Sequence, residues 1–313
     1  MRTSSPPARR DLHAEITTQL IAAIEADPGN PVLPWRRAEA PMTLPTNART
    51  TKPYNGVNII SLWCAAFAAG YTTSSWASYR QWLDLGAQVR KGEKGTPIIF
   101  YRDYDVEPDP ENADDDGRRR VARLSIVFNA DQVEGYVLPE TVQLACGKDM
   151  PVPAVSQVAS LIASSKAEIH HGGDEAYYDR RADRIVMPDQ QSFVGTPTSS
   201  PLESYYSVLL HELAHWTGAP ARLNRRFGER FGDDAYAAEE LVAEIASAFL
   251  CAELQVTQSP RPDHAAYLAH WLKLLKSDNR ALFTAAARAS EAATYLTGLA
   301  APFSVPIPSP AAS

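Results

Sequence analysis

The residues best suited to chemistry are His211, Glu212 and His215, in the pentapeptide His-Glu-Leu-Ala-His over 211–215. Histidines at i and i+4 lie one turn apart on one face of a helix, so both imidazoles can hold one metal ion. Glu212 lies between them in the chain and can reach a water on that metal as its general base. An apolar run (Tyr205, Tyr206, Val208, Leu209, Leu210, Leu213) predicts a buried helix here, and Gly218 followed by Pro220 predicts its end, with Gly218 as C′ glycine.

A third ligand is needed. Residues 236–254, YAAEELVAEIASAFLCAEL, predict a second long helix with Leu241, Val242, Ile245, Ala248, Phe249 and Leu254 on its apolar face. Glu240 and Glu244 border that face, one turn apart, and a carboxylate so placed needs a partner because an unpaired buried charge is costly. Glu240 is assigned as third ligand, with Glu244 its competitor and otherwise the acceptor for the far N–H of a ligand histidine. Glu239 is expected to point elsewhere, into solvent. Zinc suits two imidazoles, a carboxylate and an open water position; manganese and cobalt also fit such a donor set. His170 and His171 lie on a short strand beside two glycines and are not taken as ligands. Tyr177 and Tyr178 are noted as oxyanion helpers without specific support.

The 313 residues carry a net charge of −7, unevenly distributed. Residues 1–102 hold 12 Lys and Arg against 7 Asp and Glu, while 103–152 hold 5 against 12. Four of six tryptophans (Trp35, Trp63, Trp76, Trp82) lie in the basic part with Tyr54, Tyr71, Tyr79 and Tyr101. Single-stranded nucleic acid binds where bases stack on rings and phosphates meet cations. Helical spacing makes Trp63 and Phe67, and two of Trp76, Tyr79 and Trp82, better core residues than platforms. The contact candidates are Lys52, Tyr54 and Asn55 in a polar loop, Arg80, and Arg90, Lys91 and Lys94 in a Gly-punctuated turn. These residues alone fit an ordinary basic surface equally well.

Two blocks together are more specific. HELAHWTGAPARLNR with YAAEELVAEIASAFLC resembles the zincin-like metallopeptidase domain of ArdC-type antirestriction proteins. PTNARTTKPYNGVNIISLW and WASYRQWLDLGAQVRKGEKGTPIIFY resemble that family's N-terminal single-stranded-DNA-binding domain. The resemblance runs from about residue 11 to 295, excluding the tails and the acidic stretch 105–117. It implies a plasmid- or phage-type protein that protects incoming DNA from host restriction. Its partners would be single-stranded DNA and a host protein substrate. The enzyme would be a gluzincin-like, zinc-dependent metallopeptidase using Glu212. Two other readings stay open: a plain metallopeptidase whose N-terminal domain binds protein, and a DNA-binding module with a silent metal site.

The expected fold class is α+β, with a DNA-binding domain over 1–145, a zincin-like domain with a small sheet over 146–300, and a disordered tail over 301–313. Helices are expected at 11–25, 57–69, 75–85 and 153–164, and at least one more within 264–299. Strands are expected at 96–104 and 121–128, then near 167–171, 175–179 and 183–187. Between the first two strands, DYDVEPDPENADDDG carries eight acids and no base, the composition of a solvated hairpin tip. No run of eighteen apolar residues predicts a membrane span. No secretory leader is evident, and Cys64, Cys146 and Cys251 have neither disulfide nor metal-ligand spacing; a cytoplasmic protein is expected.

Overall fold

Eight helices and nine strands are assigned in a computed structural model that describes residues 11–26, 33–35, 43–107, 117–138, 152–196, 199–225, 234–256 and 264–300. Helix α1 (Leu12–Glu25) starts at Asp11, whose carboxylate accepts from the His13 and Ala14 amides, both at 3.1 Å. Strand β1 (Thr46–Asn47), α2 (Val57–Ala69), β2 (Ser75–Ser78), α3 (Tyr79–Asp84), β3 (Gln88–Val89), β4 (Thr96–Asp105), β5 (Arg118–Asn129) and β6 (Val133–Glu134) follow. One sheet has the order β1-β2-β5-β4, parallel only between β1 and β2, and β3 pairs antiparallel with β6. The rest is α4 (Val152–Ser165), β7 (Glu168–His171), β8 (Tyr177–Asp179), β9 (Arg184–Met187), α5 (Pro201–Thr217), α6 (Asp234–Leu254), α7 (His264–Ser277) and α8 (Ala281–Leu299). The second large sheet has the order β7-β9-β8, with β7 parallel to β9.

The chain divides into two compact units, mainly 43–145 and 146–274, and the segment Leu275–Phe283 groups with the first. There Thr17 Oγ1 donates to the Asn279 carbonyl and Lys276 pairs with Glu25 at 2.6 Å. The C-terminal part holds two helices.

One helix expectation is corrected. Residues 75–85 are not one helix: Ser75–Ser78 is a strand, and only Tyr79–Asp84 is helical. Backbone pairing decided it, since Trp76, Ala77 and Ser78 fill the ladder beside Asn129, Phe128 and Val127 of β5. Ser78 then starts α3 through a capping box with Gln81. Trp76 and Trp82 are buried, and Trp82 anchors a cluster with Ala77, Ala87, Val89 and Val133.

Helix α2 covers the outer edge of β4. Asn58 donates to the Ile99 carbonyl and accepts from the Ile99 amide, both at 2.8 Å, and Ser61 donates to the Pro97 carbonyl. These bonds satisfy backbone groups that would otherwise form a bare sheet edge. Gly70 ends α2 in the left-handed conformation, φ 68°.

Candidate metal centre

Helix α5 presents the His-Glu-x-x-His residues. Ser200 and Glu203 form its capping box, with Pro201 in the first turn. Leu209, Leu210, Leu213 and Ala214 are almost fully buried, which fixes the helix face that carries His211 and His215. Gly218 ends the helix, but with φ −76° it does not use the left-handed region expected of a C′ glycine. Instead its amide closes a tight turn on the His215 carbonyl at 2.8 Å. Helix α6 packs along α5, with Ser247 Oγ donating to the Ser207 carbonyl.

The ligand atoms of His211, His215 and Glu240 all lie within 4.8 Å of one another, and all three residues are buried. The two Glu240 oxygens lie 3.5 Å from His211 Nε2 and 3.4 Å from His215 Nε2. On the other side of the His211 ring, Glu244 stands 3.9 Å from Nδ1, within ion-pair reach but beyond a hydrogen bond. Glu212 is buried within the same stretch of α5. Two imidazoles and a carboxylate converging from two packed helices form a metal-binding site.

Glu239 is the main correction to the site. It is not solvated but 5% exposed, and it lies 3.2 Å from His215 Nδ1. Arg225 clamps the same carboxylate through Nε at 3.1 Å and Nη2 at 2.8 Å. Its guanidinium also donates to Thr217 Oγ1 and to the Ala214 carbonyl of α5. Glu239 thus fixes the His215 tautomer that leaves Nε2 facing Glu240. The sequence held a signal for this. An acid inside the same apolar helix as Glu240 needs a partner for the same reason, and Arg225 is a cation in the segment joining the two helices.

Electrostatics favour a cation here. Burial alone would lower the His215 pKa, but Glu240 and Glu239 outweigh it and push it up to about 10. Burial alone would raise Glu240, but His215 and His211 hold it far below the usual carboxylate range. Glu239 is also lowered against its burial, by His215 and Arg225. The carboxylates thus favour positive charge on the imidazole side, the charge a divalent ion brings.

A second clamp holds the segment after α5. The Arg222 guanidinium lies 3.8 Å over the Trp216 ring and donates to the Trp216 carbonyl, Tyr178 Oη and Asp183. Tyr178 is therefore tied into a structural cluster, and burial and Asp183 push its pKa up to about 12. Tyr177 is 46% exposed. His171 meets Tyr205 Oη at 2.9 Å and His170 meets Glu168, so neither joins the metal group. Cys64 and Cys251 are buried thiols outside any disulfide, and burial pushes the Cys64 pKa up to about 12. Cys146 and the acidic residues 108–116 lie outside the described residues.

In the first unit, Lys52, Asn55, Arg80, Arg90, Lys91 and Lys94 are exposed. Tyr54 is enclosed: the residue is 8% exposed, and its hydroxyl accepts from Asn47 and donates to the Trp76 carbonyl. The isolated β-bridge Thr46↔Pro53 and the Pro45 carbonyl, which accepts from the Tyr54 amide, fold this loop back on itself. Arg90 pairs with Glu93 and donates to the Asp131 carbonyl, which braces the turn.

Comparison with known proteins agrees with both units. Residues 10–133 match the N-terminal domain of anti-restriction factor ArdC, and residues 156–288 match a zincin-like metallopeptidase family. The crystal structure of the antirestriction ArdC protein from plasmid R388, metal-free, superposes with a TM-score of 0.73 at 34% identity, covering 93% of this chain and 98% of that one. The chain belongs to the ArdC family of antirestriction proteins. The Mn(II)-bound structure of the R388 protein matches with a TM-score of 0.72 at 33% identity, covering 94% of this chain and 100% of that one. An uncharacterized protein, y4eC, of Sinorhizobium fredii is 41% identical over 93% of both chains. A DNA primase TraC of Escherichia coli is 35% identical over 90% of this chain, which spans only 27% of the primase. No helix among the described residues of this ArdC-family chain is long and apolar enough to cross a membrane.

Proposed function

We propose that this chain is a plasmid- or phage-type antirestriction protein that binds single-stranded DNA through its first unit and hydrolyses a peptide bond in a host protein with its second. The observation that carries the catalytic half is the buried His211, His215 and Glu240 group with Glu212 on the same helix. Zinc is the metal we assign, from the donor set; the R388 relative has been solved with Mn(II). A divalent ion there supplies Lewis acidity, which polarises a carbonyl and lowers the pKa of a bound water to about 7. Glu212 accepts the proton of the attacking water at its carboxylate and returns it to the leaving amine. Glu239 and Arg225 keep His215 in one tautomer and one rotamer throughout. Exposed Lys52, Asn55, Arg80, Lys91 and Lys94 are the proposed DNA contacts, together with Arg90 beside its structural role.

The test combines both halves in the full chain. Fluorescent single-stranded and duplex oligonucleotides are titrated at two salt concentrations, and host lysate incubated with metal-loaded protein is searched for new peptide termini. A salt-sensitive preference for the single strand, with termini that disappear in Glu212→Gln, is the expected result. No affinity at either salt would refute the DNA half, and termini unchanged in Glu212→Gln would refute the hydrolytic half.

A further inference from the structure

Exposed large apolar side chains concentrate on one element of the first unit. Phe100 is 48% exposed and Tyr104 44%, and Val106, Val121 and Leu124 are also bare. Four of these five lie on the β4–β5 hairpin, and Val106 directly follows β4. Register pairs Phe100 with Arg123, Arg102 with Val121, and Tyr104 with Arg119. Directly opposed residues on antiparallel strands share a face, as do alternate residues along one strand. Phe100, Tyr104, Val121 and Arg123 therefore share a face. Near the base of the hairpin that same face is buried at Ile98 and Val127; farther out it is exposed at Phe100, Tyr104, Val121 and Arg123.

The two paired strands are basic, in contrast to the acidic segment 106–116 that joins them, and their charge points to an occupant. Strand β5 carries Arg118, Arg119, Arg120 and Arg123 and no acid, while β4 adds Arg102 against Asp103 and Asp105. Exposed rings beside the Arg123 guanidinium on a basic pair of strands fit a ligand with flat apolar faces on an anionic backbone. In a duplex those faces are stacked away; in single-stranded DNA they are open. Phe100 and Tyr104 stand about 13 Å apart along the strand, so they would serve different bases.

We propose that the outer half of the β4–β5 hairpin, through Phe100, Tyr104 and Arg123, is a stacking surface for single-stranded DNA. The proposal rests on the single-stranded-DNA reading above and locates it on an element separate from the Lys52 loop and the Arg90 turn. Because these side chains are exposed, their replacement leaves the core intact, and thermal melting of each variant verifies this.

The test is anisotropy of labelled oligo-dT with the full chain. Phe100→Ala and Tyr104→Ala should each weaken binding about tenfold, whereas Tyr104→Phe, which keeps the ring, should bind like the parent. Arg123→Gln should weaken binding and reduce the slope of log affinity against log salt by about one. Unchanged affinity in the Phe100→Ala/Tyr104→Ala double variant, with the parent binding normally, would overturn the stacking surface and leave the DNA reading standing. Equal weakening for single strand and duplex would overturn stacking as the cause. Absence of binding by the parent would overturn both.

Discussion

Three neighbouring carboxylates of α6 have three different surroundings, and this is where single residues decide function. Glu240 faces both imidazoles, Glu239 joins His215 to Arg225, and Glu244 lies behind His211. Arg225→Ala would strand the buried Glu239 charge. Metal affinity, read by chelator competition, should fall about 10- to 100-fold, as when such supporting groups are lost elsewhere. Glu212→Gln should keep the metal in the same assay and lose hydrolysis. The pH behaviour of the metal-free protein follows from His215. Its folded pKa is raised from 6.5 to about 10, so its stabilising contribution is complete below 6.5 and is lost as pH rises through about 10. The melting temperature of stripped protein should therefore decline across that window. A metal-loaded sample, whose ligand imidazoles are already neutral, should not show that decline. A flat profile in the stripped protein would contradict the ionised pairing.

At the scale of elements, two close approaches hold the first unit's sheet. Gly95 lies against β5 so tightly that a Cβ would stand 2.9 Å from Phe128 Cζ and closer still to Ile126 Cγ2. Gly95→Ala must displace both, and denaturant melts should show a loss of about 1–3 kcal/mol. Asn58 satisfies both backbone groups of Ile99 from a buried position. The β4–β5 hairpin was legible because long runs of Ile, Val, Phe and Tyr have few other outcomes. Residues 75–85 were misread because Trp76, Tyr79 and Trp82 follow a helical spacing. The competing ladder to β5 comes from residues about fifty positions away, which periodicity does not see.

For the whole molecule, the division into two units predicts that metal binding and the proposed DNA binding are separable. Chelation removes a ligand that binds only the folded second unit, so it should lower that unit's melting temperature by the linkage between binding and folding. Oligonucleotide affinity in the same sample should be unchanged. A parallel loss of DNA binding on chelation would show that the two units do not act separately. The primase relative, of which this chain spans 27%, carries a similar stretch of sequence within a much longer protein.

The amino-acid sequence by itself determined the metal motif, its helix, the order of the domains and the family, because these rest on local spacing and on blocks of adjacent residues. Tertiary structure alone decided that Glu239 is buried and paired with Arg225 and that Tyr54 is enclosed. It also decided which face of the arm stays bare. The charge split after residue 102 cut through β4 and set its Arg102 apart from the arginines of β5, which the fold pairs strand to strand with β4. Burial and cross-strand register depend on segments that meet only after the chain has folded, and no local pattern carries that information.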